Sequence, residues 1–282
     1  MLRPYVTRKT MYPEQWLQRF TQIVEQPENE INLAEAALVV AADEYPDLDV
    51  ALYLARLDEM AAHARPRLHP ALSPRDQIAA LNEYLFDQVG LRGNREAYSD
   101  PRNSYLNDVL DRRLGIPITL SIVYIEIGRR LGVPLSGVAM PGHFIVRWKT
   151  EDRVILIDVF DEGHVIGQFP LPQPADAQAR LTWIQPASSR QILVRLLSNL
   201  RAIFVQGENF ARARGVAEKL VILQPDAPEV LRDAALLAYR QKSYRRAADL
   251  LETYLRKFPS ARGADQMRTY LNEVESIVLR LN

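Results

Sequence analysis

The sequence predicts an α+β domain followed by an all-α helical module, and three observations carry that prediction. Apolar residues recur at helical spacing as far as Leu131, alternate in strand fashion between Val138 and Val159, and return from Arg190 onward to a helical pattern that repeats every 34 residues.

In the first segment Trp16, Phe20, Ile23 and Val24 form one apolar stripe, and Val50, Leu54, Leu57 and Ala61 form a second. Ser73-Pro74 reads as a side-chain cap followed by proline at the first helical position, and Ile78, Leu81, Leu85 and Val89 line the helix it opens. Asn103 is placed to cap the next helix, with Leu106, Val109 and Leu110 facing inward and Arg112, Arg113 and Gly115 as its cationic last turn and stop. A new helix starts at Pro117, carries Leu120, Val123, Ile127 and Leu131, and ends with Arg129 and Arg130 before Gly132 and Pro134.

The alternating stretch reads as antiparallel strands around Val138, His143 to Trp148 and Val154 to Val159, separated by Pro141-Gly142 and by Lys149 to Asp152. A four-residue loop over Lys149 to Asp152 sets Trp148 opposite Arg153 and His143 opposite Asp158. Opposed Cβ atoms lie ~5 Å apart, so the imidazole can meet the carboxylate. Such a pair serves as a structural tie between strands or as the supporting half of a nucleophilic site, the carboxylate orienting the ring and favouring its protonated form. The proline-rich run from Phe169 to Ala179 reads as a surface connection, which divides the chain into a first domain over residues 1–185 and a second over 186–282.

In the second domain Phe210, Ala213 and Pro225 recur 34 residues later as Tyr244, Ala247 and Pro259, the aromatic, small and proline positions of a tetratricopeptide (TPR) unit. Leu200 and Ala234 keep the same offset, and Met267 to Leu281 supplies a closing helix. Helix pairs of this kind bury their apolar faces only by stacking, and the stack presents a surface for a protein or peptide partner.

Composition removes several classes of function. The 282 residues include 35 basic and 35 acidic side chains, so no net field attracts nucleic acid or an anionic membrane. There is no cysteine, which removes thiolate metal sites and every cysteine nucleophile. The N-terminal stretch lacks the apolar run of a signal peptide and no segment approaches ~18 continuous apolar residues, so a cytoplasmic location is expected. His63 and His69 flank Pro66 without a carboxylate at ligand spacing and are expected at the surface, and Asp158 to His164 reads as a strand end and turn rather than a metal loop. No glycine-rich phosphate loop is present, and neither a metal nor a cofactor is expected.

The block from Asn103 to Trp148, together with Ile155 to Phe160, resembles the bacterial SirB family, in which a transglutaminase-like domain precedes TPR repeats and which implies a regulatory role. The resemblance implies a papain/transglutaminase-like domain with helices packed on a small antiparallel sheet. In catalytic members of the wider superfamily a cysteine opens a helix that ends about fifteen residues later in a Gly-Ile-Pro-like turn, and a strand histidine and strand aspartate follow. Matched to Gly132-Val133-Pro134, His143 and Asp158, this pattern puts Pro117 at the nucleophile position. Proline is tolerated at a first helical position because its missing N–H has no intrahelical partner there, so the helix survives while the nucleophile is lost.

Two hydroxyls follow. Thr119 lies about 200° around the helix from Pro117, and Ser121 returns to nearly the same face ~6 Å along the axis. Asn103, Ser104, Tyr105 and Tyr124 are placed near the same groove, the first two alternatively as caps and Tyr124 alternatively at the core edge. The reading is a pseudoenzyme that binds a protein or peptide through groove and TPR module. The alternative is an acyl or amide hydrolase or transferase in which a hydroxyl or water works with a His143–Asp158 dyad.

Overall fold

The computed structural model describes residues 12–69, 71–170 and 184–281. Most of the N-terminal stretch and the proline-rich run beyond Pro170 lie outside the described residues. By contacts the chain divides into two compact units after Leu196.

In the first unit α1 (Pro13–Val24) buries the expected Trp16, Phe20, Ile23 and Val24. The next helix, α2 (Leu33–Ala41), shows no stripe because nearly every residue of it is buried; its signal is the cap, where Asn32 Oδ1 accepts from Glu35 N at 3.1 Å. Asp49 caps α3 (Val50–Ala64) and Ser73 caps α4 (Pro74–Asn82), which runs on into a π-helical turn over Glu83–Gln88. His63 and His69 are exposed.

A short parallel ladder joins β1 (Arg92–Gly93) to β2 (Leu114–Gly115), on either side of α5 (Leu106–Arg112). Two expectations fail here. Helix α5 ends on Arg113 in the left-handed region (φ 62°), and Gly115, expected as its stop, is a strand residue. Asn103 does not cap α5, whose N-cap position is Tyr105, with no capping bond from its side chain to the first turn. Helix α6 (Pro117–Leu131) starts on its proline, is buried from Pro117 to Gly128, and stops at Gly132 (φ 79°).

The sheet is an antiparallel meander in the order β3 (Leu135–Met140), β4 (His143–Lys149), β5 (Arg153–Asp158), β6 (His164–Pro170). Helix α6 packs on β3, β4 and the 3-10 turn Val159–Asp161. The β4–β5 turn is tighter than the four-residue loop expected. Lys149 pairs with Val154 and Trp148 with Ile155, and Thr150 N donates to Arg153 O at 2.9 Å around a two-residue Glu151-Asp152 turn. The register therefore moves by two positions, which keeps every side chain on its face. Phe169 and Pro170, expected in the surface connection, are instead the end of β6.

The second unit takes up α7 (Ser189–Gln206) from Leu197 and continues with α8 (Phe210–Leu223), α9 (Pro228–Arg240), α10 (Tyr244–Lys257) and α11 (Ala264–Leu281). The 34-residue period is visible in the backbone. Glu208 and Lys242 are both left-handed (φ 54° and 56°) just before α8 and α10, and Gln224 and Phe258 end those helices at φ −135° and −130°. Pro225 and Pro259 follow those ends, where no helical N–H is needed. Phe210 lies under the Arg240 guanidinium at 4.7 Å, and Tyr244 meets Tyr239 edge-on at 6.0 Å. Ala213 and Ala247 are wholly buried. Ala247→Leu should therefore overpack the stack and destabilise it by ~1–3 kcal/mol in denaturant unfolding, and Ala247→Gly should cost about 1 kcal/mol in helix propensity plus about 0.8 kcal/mol for the buried methyl it removes.

Candidate functional site

The start of α6 is placed by its glycines and by a buried polar network. Gly115, two residues before Pro117, pairs with Gly93, and a Cβ on Gly93 would lie 2.6 Å from the Phe160 ring and 2.8 Å from its carbonyl oxygen. Phe160 is two residues past Asp158. The ladder thus draws the first turn of α6 and the end of β5 to one end of the domain. Over them lies the 94–104 segment, held by Asn94 and Asn103. Asn94 N donates to Gly115 O (2.9 Å), Asn94 Nδ2 to Asn103 Oδ1 (3.0 Å), and Asn103 Nδ2 to Ala97 O (2.7 Å). The Thr119 hydroxyl completes the network, donating to Asn103 O at 2.7 Å and accepting from Ile116 N at 3.1 Å.

Several expected site residues acquire structural roles in this way. Thr119 is fully buried and satisfies the first turn of its own helix rather than presenting a hydroxyl. Asn103 is a buried strut. Tyr124, expected at the groove or core edge, is a core residue. It stacks on Phe86 at 6.4 Å and donates its hydroxyl to Asn82 Oδ1 at 2.9 Å, and burial pushes its pKa well above the phenol range. Tyr105 is buried with its ring edge-on to Tyr45 at 5.9 Å. Ser104 and Ser121 are fully buried, and among the described residues their hydroxyls meet no hydrogen-bond partner.

His143 and Asp158 do meet. Nε2 lies 2.8 Å from Asp158 Oδ2, with the side chains 32% and 18% exposed, so the pair is open to a ligand. The last rung of the β4–β5 ladder is Val146–Ile157, so the two side chains reach each other beyond it rather than directly across. Asp158 Oδ1 accepts from Phe160 N (3.0 Å) and Asp161 N (3.3 Å), which fixes the carboxylate at the 3-10 turn. An ionised carboxylate only accepts, so Nε2 carries the proton and Nδ1 the lone pair in the neutral ring. Among the described residues Nδ1 has no hydrogen-bond partner.

Sequence reasoning missed Asn82, whose contacts span 81 residues. Its Nδ2 donates to Gly163 O at 2.8 Å while its Oδ1 takes the Tyr124 hydroxyl, tying the turn after Asp158 to α4 and α6. Gly163 sits at φ 76° with the place of a Cβ only 2.1 Å from Asn82 Oδ1, whereas Gly132, at φ 79°, has open space around it. Both alanine substitutions carry the same left-handed penalty of ~1–2 kcal/mol. Gly163→Ala should cost at least ~1 kcal/mol more than Gly132→Ala in denaturant unfolding, and the difference isolates the Asn82 contact.

In the second unit a groove of about 460 Å³ is lined by Ala202, Val205, Phe210, Leu237, Arg240 and Tyr270 among others. Arg201 Nη1 stands 3.0 Å from Asp233 Oδ2 in this groove as an ion pair, without hydrogen-bond alignment. Among the described residues no helix is long and apolar enough to cross a membrane.

An α+β unit with a strand histidine bonded to a strand aspartate, followed by paired helices in a 34-residue period, defines a transglutaminase-like domain joined to a TPR module. Residues 51–198 match the transglutaminase-like superfamily model and residues 200–272 a tetratricopeptide repeat model. A UPF0162 protein of Xylella fastidiosa (strain Temecula1) is 39% identical over 86% of this chain and 90% of its own length. One from Vibrio cholerae is 26% identical over 70% of this chain and 77% of its own. The human F-box only protein 21 is 44% identical over 84 residues, 30% of this chain and 13% of that one. The chain belongs to the transglutaminase-like superfamily and, within it, to the UPF0162 family. A crystal structure of menin superposes with a TM-score of 0.43 at 10% identity over 93% of this chain and 70% of that one, a likeness too slight to bear on fold or function.

Proposed function

We propose that the protein is a non-catalytic regulatory module of the SirB type, acting in the cytoplasm by binding a protein or peptide. In this reading Pro117 stands at the nucleophile position, with His143 and Asp158 as the relic of a catalytic pair. The observation that carries it is the proline at the first position of α6, at the same end of the domain as a His143–Asp158 bond that is still formed. A helix start is where a catalytic thiol would be ionised by unsatisfied N–H groups, and a pyrrolidine ring on a tertiary amide nitrogen has neither a transferable proton nor a nucleophilic lone pair to offer there. The TPR groove adds a second surface for the same partner class.

One observation favours the enzyme alternative. A ring nitrogen with a free lone pair, its partner nitrogen held by a fixed carboxylate, can take a proton from a water or a hydroxyl. The two readings differ in turnover. Hydrolysis of activated esters and of peptide amides by the wild-type chain should stay at background and be unchanged by His143→Ala or Ser121→Ala. A loss of 100-fold or more on His143→Ala, the usual contribution of a general base, would establish the enzyme instead.

A further inference from the structure

The sheet ends in an edge, and no strand among the described residues covers that edge on its outer side. Strand β6 pairs only with β5 in the sheet, so from His164 to Gln168 its outward N–H and C=O groups have no ladder partner among the described residues. Beside it runs a cleft of about 710 Å³. One wall is a single stripe of α4, Arg75, Ile78, Ala79 and Asn82, at the i, i+3, i+4, i+7 spacing of one helix face. The other is the unbroken run from Asp161 to Gln168. Consecutive strand residues point to opposite faces, so a cavity that touches all of them faces the edge of the strand rather than either face.

The edge carries little of the protection such edges ordinarily have: Val165 to Phe169 contains no charged residue. Its one irregularity is a bulge. Leu156 pairs with Gly167 and Ile157 with Val165, which leaves Ile166 unopposed on β5 and 48% exposed in the cleft. A bulge shortens the regular edge on each side of it, and α4 stands along the opening. Both features leave room for one added strand and obstruct the approach of a second sheet with its own helix.

Charge selects the occupant. Asp161 is paired with Arg95 at 2.9 Å and Glu162 with Arg92 at 3.2 Å. Arg75 is exposed and has no ion pair among the described residues, so the cleft presents one uncompensated positive charge beside an apolar floor of Ile78 and Ile166.

We propose that the cleft between α4 and β6 binds an extended peptide segment of a partner protein, which adds to the edge of β6 as a strand and places an acidic side chain against Arg75. Main-chain pairing supplies the affinity, and Ile166, Ile78 and Arg75 supply the selection of alternate side chains. The inference rests on the binding-module reading above, and adds where the ligand lies and what chemistry it carries.

The test uses the full-length chain to select from a display library of random dodecapeptides, with affinities of the selected peptides measured by fluorescence anisotropy. Acidic peptides with apolar residues at alternate positions should be enriched. Arg75→Glu should weaken them about tenfold, one contact of ~1.4 kcal/mol, and exchanging the peptide's acid for lysine should restore binding to that variant. Ile166→Arg should abolish binding with the unfolding midpoint unchanged, and N-methylation of the peptide should abolish it at alternate amides only. Selected peptides indifferent to Arg75→Glu and Ile166→Arg but lost on Tyr270→Ala would place the ligand in the TPR groove, overturning this proposal and leaving the binding-module reading standing. A dimer that forms with concentration and is lost on Ile166→Arg would assign the edge to a second copy and overturn it too. Failure to enrich any peptide would count against both.

Discussion

Replacing Pro117 by cysteine is expected to create a thiol that is alkylated at pH 7 far faster than an ordinary one, and to do so only while His143 is present. A free cysteine with a pKa near 8.5 is a few per cent thiolate at neutral pH, whereas helix N-termini and neighbouring imidazolium bring it to ~3.5–7.5. The thiolate fraction then rises by roughly 10- to 30-fold, and the iodoacetamide rate should rise by most of that factor, since nucleophilicity falls somewhat with pKa. The sign follows from charge. The protonated ring, held by the Asp158 carboxylate at 2.8 Å, is the cation that stabilises the thiolate, so His143→Ala should return the rate to that of an exposed model thiol. The backbone change is mild, because the substitution adds an N–H at a position with no intrahelical acceptor. An alkylation rate indifferent to His143 would show that Pro117 is not at the nucleophile position, and would remove the ground for reading the pair as a relic.

That pair was legible from the strands, though by a margin that chemistry supplied. The four-residue loop expected between β4 and β5 was wrong because the Thr150 hydroxyl, accepting from Arg153 N at 3.2 Å and donating to Asp152 Oδ1 at 3.0 Å, closes a tighter turn. Nothing in the apolar pattern reports such a bond. The face survived because the shift was even, and His143 still reaches Asp158. Helix α2 left no periodic trace, since a helix buried on all sides has no polar face to set a period. The TPR register was legible because small and aromatic residues are required at fixed offsets, and Ala213 and Ala247 are buried as that requires. Asn82 and Asn94 were illegible for the opposite reason. Each acts through hydrogen bonds to residues distant in the chain or in an irregular segment, where residue type predicts a turn or a cap as readily as a strut.

Asn103 shows how much hangs on one such strut. It is fully buried, and Asn103→Ala would leave Asn94 Nδ2 without its acceptor and the carbonyls of Ala97 and Tyr98 without their donor. A buried polar group left unsatisfied costs ~1–3 kcal/mol, so a loss of at least ~3 kcal/mol is expected, a large share of the ~5–15 kcal/mol that stabilises a typical domain. That loss should not vary with pH. Asn103→Asp should behave differently. The new carboxyl would face the Ala97 carbonyl oxygen in place of an N–H donor 2.7 Å away, and burial raises a carboxyl pKa, so the folded form holds its proton more tightly than the unfolded chain. Stability is then present below the unfolded value near pH 4, where the protonated group can still donate, and is lost as pH rises through the folded value. Urea unfolding of both variants at several pH values separates a packing defect, which would make the two parallel, from loss of a donor, which makes only the second fall with pH. Because this strut supports the segment lying over the first turn of α6, adding Asn103→Ala to the Pro117→Cys chain should also return the thiol to ordinary reactivity without touching His143, and a thiol that stayed fast would show that the helix start holds its geometry without the 94–104 segment.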